Sequence, residues 1–277
     1  WCQGYSEPGA GSDLASLTTR ADRDGDEYVI NGTKTWTTLG QHADWIFLLA
    51  RTSQDVERRQ EGISFLLCDM KTPGVTVKPI ITIEGGHEVN EVHFEDVRIP
   101  VQNLVGEEGK GWTYGKVLLQ HERTNIADVA RSQYRLNRLK ALARSSVRGG
   151  EPLIGDWSFR RKLAEAEIAL KALEYTDLRT LAAVAVGKAP GPESSILKIR
   201  GTELQQLIDT LFMEAAGYYA IPFVPDQYTV DFGEEDYVGE GAETRSSLTY
   251  FNNRKASIYG GSNEIQRNIV AKHVLGL

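Results

Sequence analysis

The chain has 277 residues, a net charge of −7 at pH 7, and a composition of 41% hydrophobic and 25% charged residues. These fractions are those of an ordinary globular protein, and the negative charge, without any run of Lys or Arg, excludes a basic surface for nucleic acid or for an anionic membrane. The longest apolar stretches, such as residues 46–50, are far too short to span a bilayer. The two cysteines lack the spacing of metal ligands, so we expect no metal site and a reduced, cytoplasmic setting.

Short β-rich runs separated by turn signals occupy the first part of the chain, residues 1–105. Residues 27–30 are predicted to form a strand between two hairpin turns, one at Asp24-Gly25 and one at Asn31-Gly32. Further strands are predicted over residues 45–52, 63–69, 75–81 and 91–99. Several short strands at this spacing predict a small antiparallel β-barrel or sandwich domain.

After Gly111 the apolar residues repeat with the period of a helix. Helices are predicted over residues 111–145, 156–187, 192–216 and 262–275. Their short connections favour an antiparallel four-helix bundle over residues 106–277, and the fold class is therefore α+β. Residues 218–245 are the exception, a long irregular segment of the kind that forms a lid, an interface or a mobile loop, although a solvated acidic loop is the simpler interpretation. Its acidic residues are Asp226, Asp231, Glu234, Glu235, Asp236, Glu240 and Glu243.

A glycine-rich motif lies near the front of the chain, where residues 6–13 are Ser-Glu-Pro-Gly-Ala-Gly-Ser-Asp. Gly9 and Gly11 are predicted to adopt positive φ and to let the backbone approach a ligand closely. Ser6 and Ser12 then offer hydroxyls and amides to the polar edges of that ligand. A glycine-rich turn without any ligand is the commoner meaning of such a motif in isolation.

A second glycine-rich motif lies near the end of the chain, where residues 259–262 are Tyr-Gly-Gly-Ser. It leads into a helix that is predicted to start near Ser262. The free amides and the positive dipole end of a helix N-terminus suit an anion or a polarised carbonyl. A capped helix with no further role is the alternative.

Four segments together resemble the acyl-CoA dehydrogenase family. Residues 6–13 and 258–268 are similar to its two signature regions, residues 31–38 resemble its flavin-facing strand, and residues 95–106 resemble its crossing from β-domain to helices. The segments occur in the family's order and span nearly the whole chain. The family's N-terminal helical domain would precede Trp1 and is absent from this chain, so we expect the chain to start inside a longer protein.

The resemblance implies FAD as the cofactor and an acyl-CoA thioester as the substrate. The implied FAD contacts are Ser6, Gly11, Ser12, Trp36, Thr38, Ser262 and Glu264. The implied substrate contacts are Ser12, Arg123, Tyr259 and Gly260. In this arrangement Trp36 covers the flavin face away from the substrate, and the Gly260 amide points at the thioester oxygen. Without the resemblance, Trp36 would be interpreted as a core residue of the β-domain.

The catalytic base of the family has two known positions. Many members carry a glutamate directly after the tyrosine of the second motif, where this chain has Gly260. A minority place it on the first long helix, just before an arginine, and here Glu122 and Arg123 occupy those positions. A helix would align Glu122 with an apolar stripe, which desolvates a carboxylate and makes it a stronger base. The stripe consists of Leu118, Leu119, Ile126 and Val129. A solvated helix-edge glutamate is the alternative, and His121 and His87 are weaker candidates for the base.

The resemblance therefore implies α,β-dehydrogenation, as in fatty-acid β-oxidation. Hydrogen bonds from the Gly260 amide and the flavin ribityl chain polarise the carbonyl, Glu122 removes the α-proton, and the β-hydrogen leaves as hydride to flavin N5 to give a trans-2-enoyl-CoA. Electrons then pass to electron transfer flavoprotein. We expect a homo-oligomer, dimer or tetramer, or a heteromer with a related subunit. The alternatives are a flavin monooxygenase or oxidase on the same fold and a non-catalytic subunit of a heteromeric dehydrogenase.

The chain departs from the family pattern in two places. The family usually has an Arg and a Phe near residues 146–150 that reach the FAD of a neighbouring subunit, whereas this chain has only Arg148 there. The family's Gln-x-x-Gly-Gly at the adenine end is replaced by Phe-Met-Glu-Ala-Ala-Gly at residues 212–217. Residues 252–256 and the acidic segment resemble bacterial members such as the large subunit of pimeloyl-CoA dehydrogenase. We therefore expect altered FAD contacts at the adenine end.

Overall fold

The computed structural model describes residues 1–187, 191–192, 194–222 and 245–277, and for residues 120–126 it describes the helical backbone but not the side chains. Contacts divide the chain into two compact units, residues 1–82 with 86–119 and residues 83–85 with 120–277. Within the described ranges, every helix falls short of the length and apolarity that a bilayer crossing requires. No group of three or more His, Cys, Asp or Glu side chains in those ranges is arranged to hold a metal ion.

The first unit is built around a seven-stranded sheet. Its strands are β1 Cys2–Gly4, β2 Arg20–Asp24, β3 Glu27–Thr38, β4 Trp45–Arg51, β5 Ile63–Asp69, β6 Val75–Ile80 and β7 Val89–Pro100. Neighbouring strands follow the order β1-β4-β2-β3-β7-β6, and β5 also pairs with β4. Antiparallel pairing dominates, as predicted, although β4 pairs in parallel with β1 and β2. The predicted strands are confirmed, and β1 and β2 are additional to them.

Alternating side chains of the long strands fill the core of the first unit. On β3, Tyr28 and Ile30 are buried, and their partners on β7, Ile99 and Val97, are buried as well. This period of two directs one apolar face of the sheet into the core. A smaller cluster ties the front motif to the same unit and consists of Tyr5, Ala10, Leu17, Leu49 and Ile63.

The hairpin turn predicted at Asn31-Gly32 is wrong, because β3 continues through both residues. The Asn31 side chain donates to the Asp96 carboxylate at 3.0 Å and accepts from the Asp96 N–H at 2.9 Å, so it pairs β3 with β7. Gly32 has a φ of 151°, lies against Thr19, and sits beside a shift in strand register. These turn-forming residues therefore mark a β-bulge. The other predicted turn, where Gly25 has a φ of 63°, is confirmed.

The α-helices follow the sheet along the chain, and the boundary between the two units falls inside the first of them. They are α1 Gly111–Ala127, α2 Val129–Ser145, α3 Trp157–Ala185, α4 Ser194–Ala216, α5 Ser246–Asn252 and α6 Asn263–Val270. A short hairpin of β8 Val147–Arg148 and β9 Glu151–Pro152 joins α2 to α3. The helices predicted over 156–187, 192–216 and 262–275 are confirmed, the last continuing as a π-helical turn after α6.

Helix α3 shows how the sequence specifies the helical core. The Asp156 carboxylate caps its start by accepting from the Phe159 N–H at 2.7 Å. Apolar residues then recur every three or four positions and are buried, namely Phe159, Leu163, Ala166, Leu170 and Leu173. They pack with side chains of α2 and α4, which include Leu136, Leu139, Ala143, Leu197, Leu204, Ile208 and Leu211.

The single helix predicted over residues 111–145 is wrong. Helix α1 ends at Ala127 and α2 begins at Val129, because Asp128 between them has a φ of 48° and a ψ of 48°. Aspartate adopts this left-handed conformation more readily than most residues, and it takes the chain out of the helical path. The apolar period continues on both sides of the break and so gives no sign of it.

Two further regions differ from the predicted elements. Helix α5 and the 3₁₀ turn Asn253–Ser257 that follows it are additional helical structure before the second motif. The segment predicted to be irregular, residues 218–245, begins with the 3₁₀ turn Gly217–Ala220. Its acidic residues lie outside the described residues.

Candidate functional site

The front motif forms a closed turn beside β3. Glu7 and Ala10 exchange two backbone hydrogen bonds of 3.0 Å. The N–H of Thr35, on β3, donates to the Ser6 carbonyl at 2.9 Å. The motif is therefore fixed to the strand that also carries Trp36.

A buried ion pair anchors this turn. Lys34 on β3 has a fully buried side chain and donates to the Glu7 carboxylate at 2.8 Å and to the Tyr5 carbonyl at 3.1 Å. The same carboxylate accepts from the N–H and the hydroxyl of Thr18, at 2.6 and 2.9 Å, and from the Thr19 N–H at 3.0 Å. Both carboxylate oxygens therefore have partners, which offsets the cost of burying the charge.

The electrostatics of this pair keep both groups charged at neutral pH. Burial alone would raise the pKa of Glu7, but the charge and hydrogen bond of Lys34, together with the hydrogen bonds of Thr19 and Thr18, outweigh it and lower the pKa to about 2. Burial lowers the pKa of Lys34 to about 8, although the nearby Glu7 carboxylate acts in the opposite direction. The pair is thus a fixed polar contact in the interior of the first unit.

Arg51 on β4 fixes the chain that follows the front motif. Its guanidinium donates to the Ala15 carbonyl at 2.9 Å and to the Leu17 carbonyl at 3.2 Å. The next two residues, Thr18 and Thr19, donate to the Glu7 carboxylate, so residues 15–19 are held by Arg51 and Glu7 together. The exposed stretch of residues 11–13 is therefore presented with fixed ends.

Gly9 and Gly11 do not have the positive φ that was predicted for them. A Cβ added to either would meet no atom of the described residues within 4 Å. Neither backbone conformation nor packing within the first unit therefore requires glycine at these positions. Close approach of a ligand remains as the predicted reason, with Ser6 half-buried and Ser12 exposed beside the open space.

Trp36 and Thr38 lie on the exposed side of β3. The Trp36 side chain is 60% exposed, and its φ of 60° is rare for a bulky residue. The strand register shifts between Lys34 and Thr37, so two residues of β3 face one residue of β7. This bulge turns Trp36 outward while Lys34 and Thr37 stay buried. A core role for Trp36 is thereby excluded.

In the second unit, residues 258–261 form a connection that we call the 258–261 loop. Gly260 and Gly261 have φ values of 63° and 79°. The Ser262 hydroxyl caps α6, as predicted, and accepts from a backbone N–H at 3.4 Å. The Gln266 side chain on α6 donates to the Gly260 and Gly261 carbonyls at 3.1 and 3.3 Å. The loop is therefore folded back onto the first turn of its own helix.

The predicted contacts on this loop face outward. Tyr259 is 44% exposed, and the Glu264 side chain is 77% exposed. Hydrogen bonds from its own N–H and from the Ser262 hydroxyl lower the pKa of Glu264. No acceptor in the described part of the chain takes the Gly260 N–H. The loop and the start of α6 together offer donors suited to a carbonyl oxygen or an anion.

A buried lysine lies beneath the start of α6. Lys198 on α4 donates to the Asn263 side-chain oxygen at 2.9 Å, and the Thr202 hydroxyl donates to the same oxygen at 3.3 Å. Burial lowers the pKa of Lys198 to about 8. The first residue of α6 is therefore tied to α4.

The predicted base falls in the part of α1 whose side chains are not described. Glu122, Arg123 and His121 therefore lie outside the described side chains, and their roles stay predictions. His87, the other alternative, lies in the first unit, with its Nε2 atom 2.7 Å from the Asn90 side-chain oxygen.

The two departures from the family pattern meet at the end of α4. The Arg148 guanidinium donates to the Glu214 carbonyl, and Lys162 pairs with the Glu214 carboxylate at 2.9 Å. Gly217, with a φ of 58°, follows the helix directly. Arg148 therefore caps a helix of its own chain.

The residues that anchor the two motifs are missing from the predicted site. They are Glu7, Lys34 and Arg51 at the front motif, and Gln266 and Asp209 at the 258–261 loop, where the buried Asp209 carboxylate on α4 accepts from the Asn253 side chain at 2.8 Å. A charged residue at an inward position of a strand or on the apolar stripe of a helix is the signal that would have found Lys34 and Asp209, since such a residue needs a buried partner. The sequence carries no comparable signal for Gln266.

Comparison with known proteins gives two family models that match the chain, the acyl-CoA dehydrogenase middle domain over residues 2–97 and the acyl-CoA dehydrogenase C-terminal domain over residues 109–275. Acyl-CoA dehydrogenase IpdE1 of Mycobacterium tuberculosis is 39% identical over 279 residues, which cover 100% of this chain and 66% of the relative. The chain therefore spans about two thirds of the length of the two IpdE1 proteins it matches, with 66% and 67% coverage.

Two solved assemblies have the same fold. The ChsE4-ChsE5 complex from Mycobacterium tuberculosis matches 100% of this chain and 68% of its own, with 33% identity and a TM-score of 0.83. The Tcur3481-Tcur3483 steroid ACAD matches 100% of this chain and 67% of its own, with 30% identity and a TM-score of 0.86. Members of the matching family are FAD-dependent flavoproteins and oxidoreductases.

Proposed function

The chain belongs to the acyl-CoA dehydrogenase family, and from this premise we propose that the full protein oxidises an acyl-CoA thioester to a trans-2-enoyl-CoA with FAD, as in β-oxidation. The observation that carries the proposal is Trp36, an aromatic side chain held 60% exposed by a left-handed backbone. Both the exposure of an aromatic side chain and the strain of a left-handed backbone are unfavourable, and Trp36 combines the two. This supports a flat ring that stacks on the Trp36 side chain in the full protein.

The described residues fit FAD. Trp36 offers a stacking surface, Thr38 offers a hydroxyl on the same side of β3, and the open space at Gly11 leaves room for a ligand beside the motif. The remaining proposed contacts are Ser6, Ser12, Ser262 and Glu264. When bound, FAD supplies the acceptor for the hydride that leaves the β-carbon. The chain's own part is to hold and orient the ring.

On the substrate side we propose that the Gly260 N–H donates to the thioester oxygen. A donor at this point stabilises the charge that develops as the α-proton leaves. Glu122 is the proposed base for that proton, and Arg123, Tyr259 and Ser12 are proposed substrate contacts. The availability of the Gly260 N–H within the described part of the chain supports this assignment.

The test of the proposed reaction is the visible absorption of the FAD-loaded full-length protein during anaerobic titration with acyl-CoAs. The panel contains short and long straight chains and, because one solved relative is a steroid ACAD, a steroid-linked acyl-CoA. We expect at least one thioester to bleach the flavin absorption and to yield an enoyl-CoA. A protein that takes up no FAD, or whose flavin no thioester reduces, would contradict the proposal.

The proposed base is tested with Glu122→Gln. The variant keeps the shape and removes the proton acceptor, so flavin reduction should fall by at least about 10²-fold while FAD and substrate binding change little. Reduction at the wild-type rate would exclude Glu122, and His121 would then be the next residue to change. The control is Glu167→Gln, which alters a partly exposed ion pair with Lys140.

Relocation of the base is a sharper test. Glu122→Gly combined with Gly260→Glu places the carboxylate where most of the family has it, and the double variant should recover part of the lost rate. Recovery should be partial because the φ of 63° at Gly260 strains any side chain placed there. Absence of any recovery would contradict a shared α-carbon for the two positions.

The same fold supports two alternative proposals. A flavin monooxygenase or oxidase would react rapidly with oxygen once reduced, so stopped-flow reoxidation separates it from a dehydrogenase. A non-catalytic subunit is favoured by the engagement of Arg148 with its own chain and by the two solved relatives whose names join two proteins. An isolated protein that binds FAD only after mixing with a related subunit would support that alternative.

We also propose the setting in which the protein acts. It assembles as a homo-oligomer, dimer or tetramer, or as a heteromer, and passes electrons to electron transfer flavoprotein. Light scattering that finds only monomer at micromolar concentration would contradict the assembly. Two buried, unpaired cysteines support a reduced, cytoplasmic location.

A further inference from the structure

Asp209 on α4 is a buried charge in the second unit. Its side chain is fully buried and contacts Arg135 on α2 at 2.5 Å. The other carboxylate oxygen accepts from the Asn253 side chain at 2.8 Å and lies 3.6 Å from the Arg254 guanidinium. Burying a carboxylate is unfavourable unless it is paired, and an apolar residue would pack α4 without that penalty. The contacts of Asp209 therefore call for an explanation beyond packing.

Two of these partners of Asp209, Asn253 and Arg254, lie on the segment that leads to the 258–261 loop. Gln206, one helical turn before Asp209, donates to the Asn253 and Arg254 carbonyls at 3.1 and 3.3 Å. The Arg254 side chain donates to the Tyr250 carbonyl at 2.8 Å and lies 4.0 Å from the centre of the Tyr250 ring. Side chains and backbone of this segment are thus both fastened to α4.

Backbone hydrogen bonds carry this attachment into the loop. The Lys255 carbonyl accepts from the Ile258 N–H at 2.8 Å and from the Tyr259 N–H at 3.1 Å. Gly260 follows directly, and beyond it Gln266 holds the loop carbonyls from α6. The loop is therefore fixed at its entry through Asp209 and at its exit through Gln266.

We propose that Asp209 is a positioning residue that acts through Asn253 and Arg254 to align the Gly260 N–H with the thioester oxygen. The inference rests on the proposed function, because it gives this N–H a reaction to serve. Hydrogen-bond strength falls steeply with donor angle, and small misplacements of a catalytic group reduce rate strongly. A fastening six to seven residues before the donor, carried forward by the hydrogen bonds of the Ile258 and Tyr259 amides to the Lys255 carbonyl, controls its direction without touching the substrate.

The test uses Asp209→Asn in the full-length FAD-loaded protein. Asparagine keeps the shape and one acceptor but loses the charge that holds the two arginines. We expect kcat to fall about tenfold or more while KM changes less than about threefold, since the donor is misaligned but still present. Glu167→Gln is the matched control, because it removes a carboxylate between α2 and α3, far in sequence from the loop, and it should leave both constants unchanged.

Hydrogen–deuterium exchange, without substrate, gives a second readout. Peptides covering residues 255–262 should exchange about tenfold faster in Asp209→Asn than in the wild type, because the Ile258 and Tyr259 amides lose their fixed acceptor. Peptides from residues 159–173 of α3 should exchange at the wild-type rate. Faster exchange throughout the second unit would instead show a general role in stability and would overturn the proposal.

Asn253→Ala is the second variant, in case Asp209→Asn does not fold. It removes the contact on the loop side and leaves the charges of Asp209, Arg135 and Arg254 in place, and it should show the same split between kcat and KM in milder form. Wild-type kcat and loop exchange in the variants that fold would overturn the inference. A wild-type protein that oxidises no acyl-CoA would contradict the proposed function instead, and the exchange data would still decide whether Asp209 fixes the loop.

Discussion

The front motif and the 258–261 loop are each held by a buried carboxylate, but only the front motif contains that carboxylate itself. In the first unit the carboxylate of Glu7 belongs to the motif itself and accepts from backbone amides and from one cation, Lys34. In the second unit the carboxylate of Asp209 belongs to a helix and holds the loop segment through side chains, with two arginines around it.

This difference determines what the loss of a single cation does at each carboxylate. Among the described residues Glu7 has one cation in contact, Lys34, so the loss of Lys34 leaves the buried carboxylate without a direct ion pair. Asp209 has Arg135 on one oxygen and Arg254 near the other, so either can be lost with one remaining. We therefore expect the loss of Lys34 to reduce the stability of the first unit strongly. We expect the loss of one arginine at Asp209 to reduce the stability of the second unit less, because the main effect of Asp209 is on the direction of the Gly260 N–H.

The largest effect is expected for Lys34→Met. The change leaves the buried Glu7 carboxylate without its ion-pair partner. It should lower the free energy of unfolding of the first unit by about 3–5 kcal/mol, the usual range for breaking a buried pair. Urea unfolding followed by fluorescence measures it. The control is the double variant Glu7→Gln with Lys34→Met, which removes both charges and should regain most of the loss. A single variant as stable as the wild type would show that the pair is not needed.

Acid unfolding should be governed in part by Glu7. Its pKa of about 2 in the folded chain lies below the ordinary value of 4.5, so its contribution is fully present above about pH 4.5 and is lost as the pH falls toward 2. A shift of this size corresponds to about 3 kcal/mol. Glu7→Gln does not titrate, so its unfolding free energy should fall less steeply over this range. Parallel acid profiles for the two proteins would contradict the assignment.

A smaller effect is expected for Arg135→Met. Asp209 keeps Arg254 and the Asn253 amide, so the loss in unfolding free energy should be about 1–3 kcal/mol, less than for Lys34→Met. Part of it comes from the contact of the Arg135 guanidinium with the Phe212 ring, at 5.3 Å. Equal losses in the two variants, measured in the same denaturant series, would remove the distinction between the two anchors.

The comparison also explains what the sequence could predict. Strand and helix patterns are local, so the β-domain and the helices α3 and α4 follow from periodicity and caps such as Asp156. The break at Asp128 interrupts a continuous apolar pattern without changing it and so has no local signal. The outward turn of Trp36 depends on pairing with β7, which periodicity within β3 alone cannot reveal.

The anchors of the site were hidden for a related reason. Glu7 and Lys34 lie 27 residues apart, and Asp209 and Asn253 lie 44 apart, so each pair exists only once distant elements have packed. The two motifs that face outward can be predicted from the sequence, because their glycine and serine residues are visible in it. The charged residues beneath them cannot, because residue type alone does not distinguish a buried ion pair from a surface one.

The smallest effects on unfolding free energy are expected for alanine substitutions of Gly261 in the 258–261 loop and of Gly11 in the front motif. Gly261 has a φ of 79°, and a Cβ there would lie 2.5 Å from the Gln266 side-chain nitrogen. Gly261→Ala should therefore cost about 1–2 kcal/mol of unfolding free energy through backbone strain and loss of the Gln266 hydrogen bonds. Gly11 has neither a positive φ nor a neighbour within 4 Å among the described residues.

Gly11→Ala should leave the unfolding free energy of the apoprotein within about 0.5 kcal/mol of the wild type, or raise it slightly by restricting the unfolded chain. It should nevertheless lower the affinity for FAD, because the added methyl group occupies the space through which we propose that FAD approaches. Thermal unfolding with and without FAD separates the two effects: the variant should match the wild type alone and gain less stability when FAD is added. An equal gain in both proteins would mean that Gly11 faces solvent and not the cofactor, and the open space at the front motif would then lose its proposed role.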